Sequence, residues 1–331
     1  MRRDQAVLAL YPVALLVLTA IHVLAPQRDG FGALTEVFAP HLFLLTIALV
    51  PFALARDASM AFRGALVAVA VVAVLRFGDE WVSIPPEEGR GTPIEVLTWN
   101  LELGSDAGKD LVAVLTASRA DVVILQELSP DQVRRIEASR ALASRFANRV
   151  MLPTDDVFGI GLLSTFPIIA SEPLQDPSGL TAVLDIGGPD PLTVISAHPL
   201  PPRYLFSPGV PPRPTAFDPE RRDESLTALR GRIELAMRAA QPLVVLGDFN
   251  VTPTEPEYAE LAAGLTDVHL AVGVGPGWTW RPRQVEAIPV GILRIDHAFV
   301  TGGIRPVGSF TDCSHPGDHC IVSARVVVTP P

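Results

Sequence analysis

The stretch PLVVLGDFN, residues 242–250, decides the fold of the larger part of this 331-residue chain. The apolar run 243–246 predicts a buried strand, and Asp248 and Asn250 follow where that strand leaves the core. Polar groups are costly inside a core but useful at its rim. The pattern therefore predicts functional side chains at the edge of a sheet.

The same pattern recurs in four other segments, each an apolar strand that ends on a polar residue. These are IEVLTWN ending at Asn100, DVVILQE at Glu127, TVISAH at His198 and ILRID at Asp296. Segments with helical spacing lie between them, near 107–119, 130–146 and 218–240. Alternating strands and helices predict an α/β domain, and five similar strand ends predict one converging site.

The residue types at these ends favour a hard divalent cation, because Mg²⁺ and Mn²⁺ prefer oxygen ligands. Glu127, Asp248 and Asp296 supply carboxylates, and a late Asp318 adds another. Histidines near such a site can donate to phosphate oxygens or transfer protons near neutral pH. The set predicts metal-assisted attack of water on phosphorus rather than a covalent route.

Six motifs stand in order along the chain: TWN (98–100), LQE (125–127), GIGLLSTFPI (159–168), GDFN (247–250), RIDH (294–297) and GDHC (317–320). Their order and spacing resemble the endonuclease/exonuclease/phosphatase superfamily, which includes DNase I-like nucleases, neutral sphingomyelinases and inositol polyphosphate phosphatases. The resemblance covers about 94–328. It implies an α/β (α+β) fold, a four-layer α/β/β/α sandwich of two mixed sheets flanked by helices.

The resemblance also implies a metal site for Mg²⁺ or Mn²⁺. Asn100, Glu127 and Asp318 match positions at or near the metal in the superfamily. Glu102 falls where some members carry a further acidic ligand. In this chain Gly317 stands where serine commonly precedes the Asp-His pair, which removes a hydroxyl but no ligand.

Catalytic roles follow from the same resemblance. Asp248 matches the residue that orients or deprotonates the attacking water, with Asn250 beside it on the phosphate. His319 matches the catalytic histidine and Asp296 its supporting carboxylate. His198 matches a second histidine of DNase-like and sphingomyelinase-like members. Whether Asp248 or the Asp296–His319 pair removes the proton stays open.

Two further residues, Thr279 and Trp280, are implied to lie near the substrate. The cysteines Cys313 and Cys320 do not form a CxxC pair, so a zinc site is not expected. A single disulfide in an exported domain and two buried thiols are equally compatible with their spacing.

The first 77 residues are far more apolar than the rest and predict a bundle of three transmembrane helices, at 6–25, 38–55 and 58–77. A cleaved signal peptide is the alternative for the first segment, although two more apolar stretches follow it. Residues 78–93, rich in Pro and Gly, are predicted to form a stalk, and 94–331 the catalytic domain.

Arg2 and Arg3 favour an inside N-terminus by the positive-inside rule. Three crossings then predict a multi-pass protein of the cell membrane with an extracytoplasmic catalytic domain. If the third segment, whose uncharged core covers only 64–75, does not cross, the domain faces the cytoplasm.

Residues 78–331 contain 20 Lys and Arg against 32 Asp and Glu, a net charge of -12. Nucleic acid affinity comes largely from basic side chains, so nucleic acid is not the expected partner, and no obligate protein partner is evident. Three membrane segments followed by this domain resemble the membrane-anchored VanJ-type proteins associated with glycopeptide (teicoplanin) resistance. That resemblance implies a lipid-linked phosphate or pyrophosphate of the polyprenyl type as substrate. An extracytoplasmic nuclease, a sphingomyelinase-like phosphodiesterase and an inactive binding module are the alternatives.

Overall fold

The computed structural model describes residues 3–55, 58–81, 90–103, 107–207, 213–282 and 289–329. The chain divides into two compact units. The first, here called the membrane unit, comprises Met1–Val82, Arg203–Pro219 and Thr254–Pro256. The second, here called the catalytic unit, comprises the rest of the chain.

Two helices of the membrane unit, α1 (Arg3–Leu24) and α5 (Met60–Trp81), are long and apolar enough to cross a membrane. Between them lie α2 (Gly30–Val37), α3 (Ala39–Leu44), a 3-10 helix (Leu45–Leu49) and α4 (Val50–Leu54). The chain bends by 67° between Gly30–Val37 and Ala39–Leu54. Taken together as one broken span, these two segments are also long and apolar enough to cross a membrane. Membrane association of the N-terminal region follows from these lengths and compositions.

Contacts within the membrane unit fix the directions of its helices. His22 in the last turn of α1 lies 3.2 Å from the guanidinium of Arg76 near the end of α5, so these two helices run in the same direction. The Phe43 ring of α3 packs edge-on against Phe77, also near the end of α5. Arg63 near the start of α5 donates to the Ala53 carbonyl at the end of α4. The stretch from α3 to α4 therefore runs opposite to both long helices.

The Pro-rich segment after His198 forms a separate two-stranded antiparallel sheet from β8 (Arg203–Ser207) and β9 (Arg213–Asp218). The hairpin belongs to the membrane unit, where β9 packs against α2. An isolated two-stranded hairpin accommodates prolines that a central strand would exclude.

The catalytic unit contains two six-stranded mixed sheets. The first has the order β13-β14-β1-β2-β4-β3 and the second β11-β12-β10-β7-β6-β5. The strands of the first sheet are β1 Thr92–Asn100, β2 Val122–Gln126, β3 Asn148–Leu152, β4 Ile160–Ser164, β13 Ile304–Asp312 and β14 Ile321–Val328. Those of the second are β5 Ile168–Leu174, β6 Ser178–Leu184, β7 Leu192–His198, β10 Leu243–Asp248, β11 Thr266–Asp267 and β12 Asp296–Val300.

Three apolar layers hold these sheets and their helices together. Side chains from the facing sides of both sheets, including Val96, Ile124, Leu180 and Val244, form the central core. Outside the first sheet lie α6 (Ala107–Ala117), α7 (Pro130–Ala138) and α8 (Arg140–Arg145). Outside the second lie α9 (Glu220–Arg238) and α10 (Pro256–Ala262), and the short helix α11 (Val268–Val272) follows β11. The sequence prediction of an α/β/β/α sandwich is confirmed.

Strand pairing brings the polar strand ends to one edge. β1 runs parallel to β2 and β10 runs parallel to β7, so Asn100, Glu127, His198 and Asp248 emerge at carboxyl ends of neighbouring strands. β12 is antiparallel to β10, and its first residue Asp296 stands in register with Asp248. The pairing of these strands thus explains why motifs that are far apart in sequence lie close together in the structure.

Several boundaries differ from those expected. The helix expected over 130–146 is two helices, because the Ser139 backbone is extended (ψ 107°) and its side chain caps α8. Helix α5 continues to Trp81, four residues into the expected stalk, and β1 begins at Thr92. The rest of the stalk, 82–89, lies outside the described residues. Strand β3 was not expected, since its side chains are all half-buried and lack a clear apolar run.

Gly247, which precedes Asp248 in the GDFN motif, is required by a close approach between two strands. A Cβ placed on Gly247 would lie 2.3 Å from the Ala197 carbonyl oxygen of β7. We expect Gly247→Ala to lower the free energy of unfolding by about 1–3 kcal/mol, because β10 and β7 must move apart. Denaturant unfolding measures the change. Gly302→Ala is the control, since nothing lies within 4 Å of its Cβ; equal effects at both positions would contradict the packing argument.

Candidate active site

The carboxamide of Asn100 links side chains from both sheets of the catalytic unit. Its Nδ2 donates to Glu127 Oε1 (3.1 Å) on the first sheet and to Asp248 Oδ2 (3.0 Å) on the second. Its Oδ1 accepts the backbone N–H of Glu102 (2.9 Å). Asn100 is 1% exposed, so these bonds form away from water and hold the two carboxylates at a fixed separation.

Two histidines face the carboxylate of Asp248. The Nε2 atoms of His198 and His319 each lie 3.5 Å from Asp248 Oδ2. The other carboxylate oxygen, Oδ1, accepts the backbone N–H of Asn250 (3.0 Å). Asp248 is thus fixed by its own turn and faced by two imidazole rings.

The distal nitrogen of each histidine is held by an acceptor, which fixes the tautomer. His319 Nδ1 donates to Asp296 Oδ2 (3.0 Å), and His198 Nδ1 donates to the Val157 carbonyl (3.1 Å). The Nε2 atoms therefore face the site in both rings. His319 with a carboxylate behind it is the more basic of the two by this arrangement.

Electrostatics at the centre favour a charged histidine next to buried carboxylates. Burial alone would lower the pKa of His319, but the carboxylates of Asp296 and Asp248 outweigh it and hold that pKa well above its ordinary value. Burial raises the pKa of Asp248, and the neighbouring Asp296 adds to the rise. Asp248 and His319 are therefore suited to sharing and moving a proton.

Three acidic residues gather on the other side of Asn100. Glu102 Oε2 accepts the backbone N–H of Asp318 (3.0 Å), and Glu127 Oε2 accepts the backbone N–H of Leu103 (2.7 Å). Burial raises the pKa of Asp318 to about 6, and Glu102 and Glu127 add to the rise against the opposing charge of His319. A cation bound here would offset the repulsion between Asp318 and these two glutamates.

The donor set fits Mg²⁺ or Mn²⁺. Asp318 Oδ1 is buried and has no hydrogen-bond partner among the described residues, so it is free to bind a cation. Glu127, Asp318 and Glu102 could hold the ion together with waters. Asp248, Asp296 and His319 form a second group whose potential ligand atoms lie within 4.8 Å of one another. There, however, His319 Nδ1 and Asp296 Oδ2 already bind each other, and we favour the acidic group.

Strained backbone marks the loops that carry these groups. Glu102, Glu127 and Asn250 have φ values of 46°, 54° and 53°, in the left-handed region that non-glycine residues rarely adopt. Such strain is commonly stored at functional sites and costs about 1–3 kcal/mol per residue. The left-handed backbone of these residues could not be predicted from their amino-acid types.

The side chain of Asn250 makes a hydrogen bond to the turn that follows His198. The side-chain Nδ2 of Asn250 donates to the Pro199 carbonyl (2.9 Å). The main-chain carbonyl of Asn250 accepts from the buried guanidinium of Arg222 (3.0 Å). Asn250 therefore ties the turn after β10 to the turn after His198. Arg222 was not singled out from sequence, because only the fold shows that α9 passes behind this turn.

Thr279 is buried and Trp280 is half-buried, and both bind segments that carry acidic residues of the site. The Thr279 hydroxyl accepts the backbone N–H groups of Ile295 (3.2 Å) and Asp296 (3.1 Å), and this residue is 1% exposed. The Trp280 indole N–H donates to Asp318 Oδ2 (3.3 Å). Both residues thus position acidic groups of the site.

Beneath the site, a second polar group fixes the segment that leads to Asp296. Arg294 donates to Asp267 Oδ2 (2.7 Å), and Tyr258 and His297 face the same carboxylate. The charge of Arg294 helps to hold the pKa of Asp267 well below its usual range, although burial opposes this. His297 Nε2 donates to the Val251 carbonyl (2.9 Å), and the residue is 1% exposed, so it supports the fold.

Paired carboxylates and histidines on the rim of a two-sheet sandwich define a metal-dependent phosphoester hydrolase. The family model described as the Endonuclease/Exonuclease/phosphatase family matches residues 97–319, and the chain belongs to this family. No curated protein sequence matches the chain.

Solved structures share the fold at low sequence identity. TDP2 of D. rerio, complexed with a single-strand DNA product, is 17% identical over 71% of this chain and 99% of its own, with a TM-score of 0.54. The 3' phosphatase NExo from Neisseria, bound to a product DNA hairpin, is 20% identical over 70% and 98%, with a TM-score of 0.54. An endonuclease/exonuclease/phosphatase from Beutenbergia cavernae is 20% identical over 72% of each chain, with a TM-score of 0.50.

The hydrogen bond between Asp296 and His319 gives a direct test of the site. Asn keeps the shape of Asp296 but loses its charge and can present an amide N–H to the ring. We expect Asp296→Asn to lower kcat on the order of 10²–10⁴-fold, as for the loss of a proton-transfer group. Steady-state hydrolysis of bis(p-nitrophenyl) phosphate with Mn²⁺ measures it. Asp131→Asn, which removes a half-exposed surface carboxylate, is the control, and a similar kcat for both variants would refute the assigned pair.

Proposed function

We propose that this protein is a membrane-anchored, divalent-metal-dependent phosphoesterase that hydrolyses a lipid-linked phosphate or pyrophosphate of the polyprenyl type. The observation that carries the proposal is the union, in one chain, of a phosphoesterase family domain and helices apolar enough to cross a membrane. A substrate confined to the same membrane is met at a high effective concentration.

The directions of the helices support three crossings. Because α1 and α5 run in the same direction, the stretch 30–54 between them must return across the membrane. Arg2 and Arg3 favour an inside N-terminus, so a third crossing by α5 places the catalytic domain outside the cytoplasm. The disulfide between Cys313 and Cys320 supports this orientation, since disulfides persist in oxidising compartments.

The hairpin β8–β9 supports a lipid substrate. It begins shortly after His198, yet it belongs to the membrane unit, as does the short segment Thr254–Pro256 that follows Asn250. In that unit the Thr254 hydroxyl donates to the Glu36 carbonyl. Both turns that leave the site are therefore continuous with elements of the membrane unit. Tyr204 of the hairpin is exposed, and the next two residues in sequence, Leu205 and Phe206, are apolar by type, a composition suited to contact with lipid.

Our mechanism assigns proton handling to the side chains described above. A bound divalent cation would polarise a phosphoryl oxygen and offset the charge that develops on it. Asp248 holds the attacking water by a hydrogen bond and is suited to accept its proton. His319, kept in one tautomer by Asp296, presents a donor to a phosphate or leaving-group oxygen, and His198 presents a second Nε2 to the same region.

The alternative functions predict other features. A nuclease is favoured by the DNA bound in the TDP2 and NExo structures, but the net charge of -12 in residues 78–331 repels a polyanion. A sphingomyelinase-like phosphodiesterase would use the same side chains on a different headgroup. An inactive binding module has no need of the hydrogen bonds that Asn100, Asp248 and His319 make here.

The substrate is tested with a panel of polyprenyl pyrophosphate, sphingomyelin, phosphoinositides and DNA, each with Mg²⁺ or Mn²⁺. We expect the full-length protein in lipid nanodiscs to release phosphate from the polyprenyl pyrophosphate. His319→Ala should lower that rate on the order of 10²–10⁴-fold. Replacing Tyr204, Leu205 and Phe206 by Ser should slow lipid hydrolysis and spare a soluble phosphodiester. Cleavage of DNA alone, abolished in His319→Ala, would disprove the lipid proposal.

The orientation is tested independently of substrate. We expect a periplasm-active reporter fused after Phe77 in a Gram-negative host to be active, and Cys313 and Cys320 to be recovered as one linked peptide by mass spectrometry without reductant. The Cys313→Ser/Cys320→Ser variant is the control, because it cannot give the mass of the disulfide-linked peptide. A cytoplasm-active reporter signal together with free thiols would show that the catalytic domain faces the cytoplasm.

A further inference from the structure

The short loop from Cys313 to Cys320 carries two residues of the site, Asp318 and His319. The disulfide closes this loop, with the two Cα atoms 4.3 Å apart. Within it, Gly317 has a φ of 113°, which a residue with a Cβ rarely adopts. The loop therefore follows a path that serine at this position, common in the superfamily, would strain.

A buried arginine fills the inside of this loop. The guanidinium of Arg281 donates to the carbonyl oxygens of Cys313 (2.9 Å), His315 (2.7 Å) and Gly317 (3.2 Å). Its backbone N–H donates to the Asp318 carbonyl (2.9 Å). Arg281 is 2% exposed, so water cannot replace these bonds.

The strand-like segment around Arg281 completes the hold on the loop. The backbone N–H of Cys320 donates to the Thr279 carbonyl (2.7 Å), and Trp280 forms a β-bridge with His319. Trp280 also binds Asp318 Oδ2 through its indole N–H. The positions of Asp318 and His319 therefore depend on contacts with residues 279–281.

Only an arginine can satisfy this geometry. Three inward-facing carbonyls need three donors spread over a plane, and the guanidinium offers five N–H groups in a rigid fork. A lysine ammonium presents its donors from a single point on a flexible stem. Carbonyls left without a donor in a buried loop would turn outward to reach water, and the attached residues would turn with them.

We propose that Arg281 is a positioning residue of the enzyme, which acts with the Cys313–Cys320 disulfide to hold Asp318 and His319 in their productive places. The inference rests on the proposed hydrolysis at this site but not on its lipid substrate. The hydrogen bonds of Arg281 given above all go to main-chain carbonyls of the loop, so Arg281 acts through the loop. A shift of a catalytic group by about 1 Å can cost on the order of 100-fold in rate.

The chain provides a matched control for this role. Arg145 of α8 also donates its guanidinium hydrogens to three main-chain carbonyls, those of Leu115, Ser118 and Ala120. These three carbonyls lie just before the amino end of β2, whereas Glu127 follows its carboxyl end. Both substitutions remove a guanidinium that donates to main-chain carbonyls. Arg281→Lys does so in a loop that carries site residues, and Arg145→Lys in a segment that carries none.

The test compares both variants as full-length protein in nanodiscs, with bis(p-nitrophenyl) phosphate and Mn²⁺. For Arg281→Lys we expect kcat to fall on the order of 100-fold with KM within about twofold of wild type. Arg145 is only half-buried, so Arg145→Lys should lower Tm by less than Arg281→Lys does, and it should leave kcat unchanged. Amide hydrogen exchange, followed by mass spectrometry, should rise in the peptide that contains 313–320 only in Arg281→Lys, and this readout needs no turnover.

A double-mutant cycle tests the partnership with the disulfide. Cys313→Ala/Cys320→Ala should lower kcat to a similar extent, and combining it with Arg281→Lys should cost less than the product of the two separate losses. Equal kcat losses in Arg281→Lys and Arg145→Lys, or unchanged exchange in 313–320, would overturn the positioning role. A strictly multiplicative combination would overturn the joint action. Lipid hydrolysis can fail without affecting any of these outcomes.

Discussion

The hydrogen bonds of the Asn100 carboxamide are the interaction on which the rest of the site depends. They bridge a carboxylate of one sheet to a carboxylate of the other. Buried acids repel each other and resist ionisation unless donors or cations face them. One uncharged amide keeps Glu127 and Asp248 close without cancelling the charge that a metal ion needs. The two-sheet sandwich is therefore also the device that sets the distances between catalytic groups.

That constraint explains how the charges are divided on either side of Asn100. On one side, Glu102, Glu127 and Asp318 gather with backbone N–H donors, an arrangement that favours a hard cation. On the other, Asp248 faces two imidazoles, an arrangement that favours proton transfer. The same carboxylate chemistry thus serves two purposes, and the neighbours of each acid decide which.

Much of this arrangement could be predicted from sequence because strands and their ends follow a simple rule. Apolar runs that stop at a polar residue located Asn100 and Asp248, and parallel pairing with β2 and β7 brought these strand ends beside Glu127 and His198. Asp296 begins β12 instead of ending a strand, and antiparallel pairing with β10 brings it beside Asp248. Long-range geometry could not be predicted in this way. The left-handed backbone of Glu102 and the bond from Asn250 to the Pro199 carbonyl depend on packing between segments far apart in sequence. Strand β3 could not be predicted for a similar reason: its side chains are all half-buried, so its sequence does not alternate between apolar and polar residues.

The loop that carries Asp318 and His319 shows how a departure from a family pattern can be compensated locally. Serine before the Asp-His pair would add a Cβ at a position whose φ is 113°, and glycine removes that conflict. Glycine alone, however, would leave the loop more flexible, because it has more conformations to lose on folding. A covalent link across the loop and an arginine that satisfies its inward carbonyls restrict those conformations again. In this chain, therefore, contacts around the loop restrict a segment that its own glycine would leave more flexible.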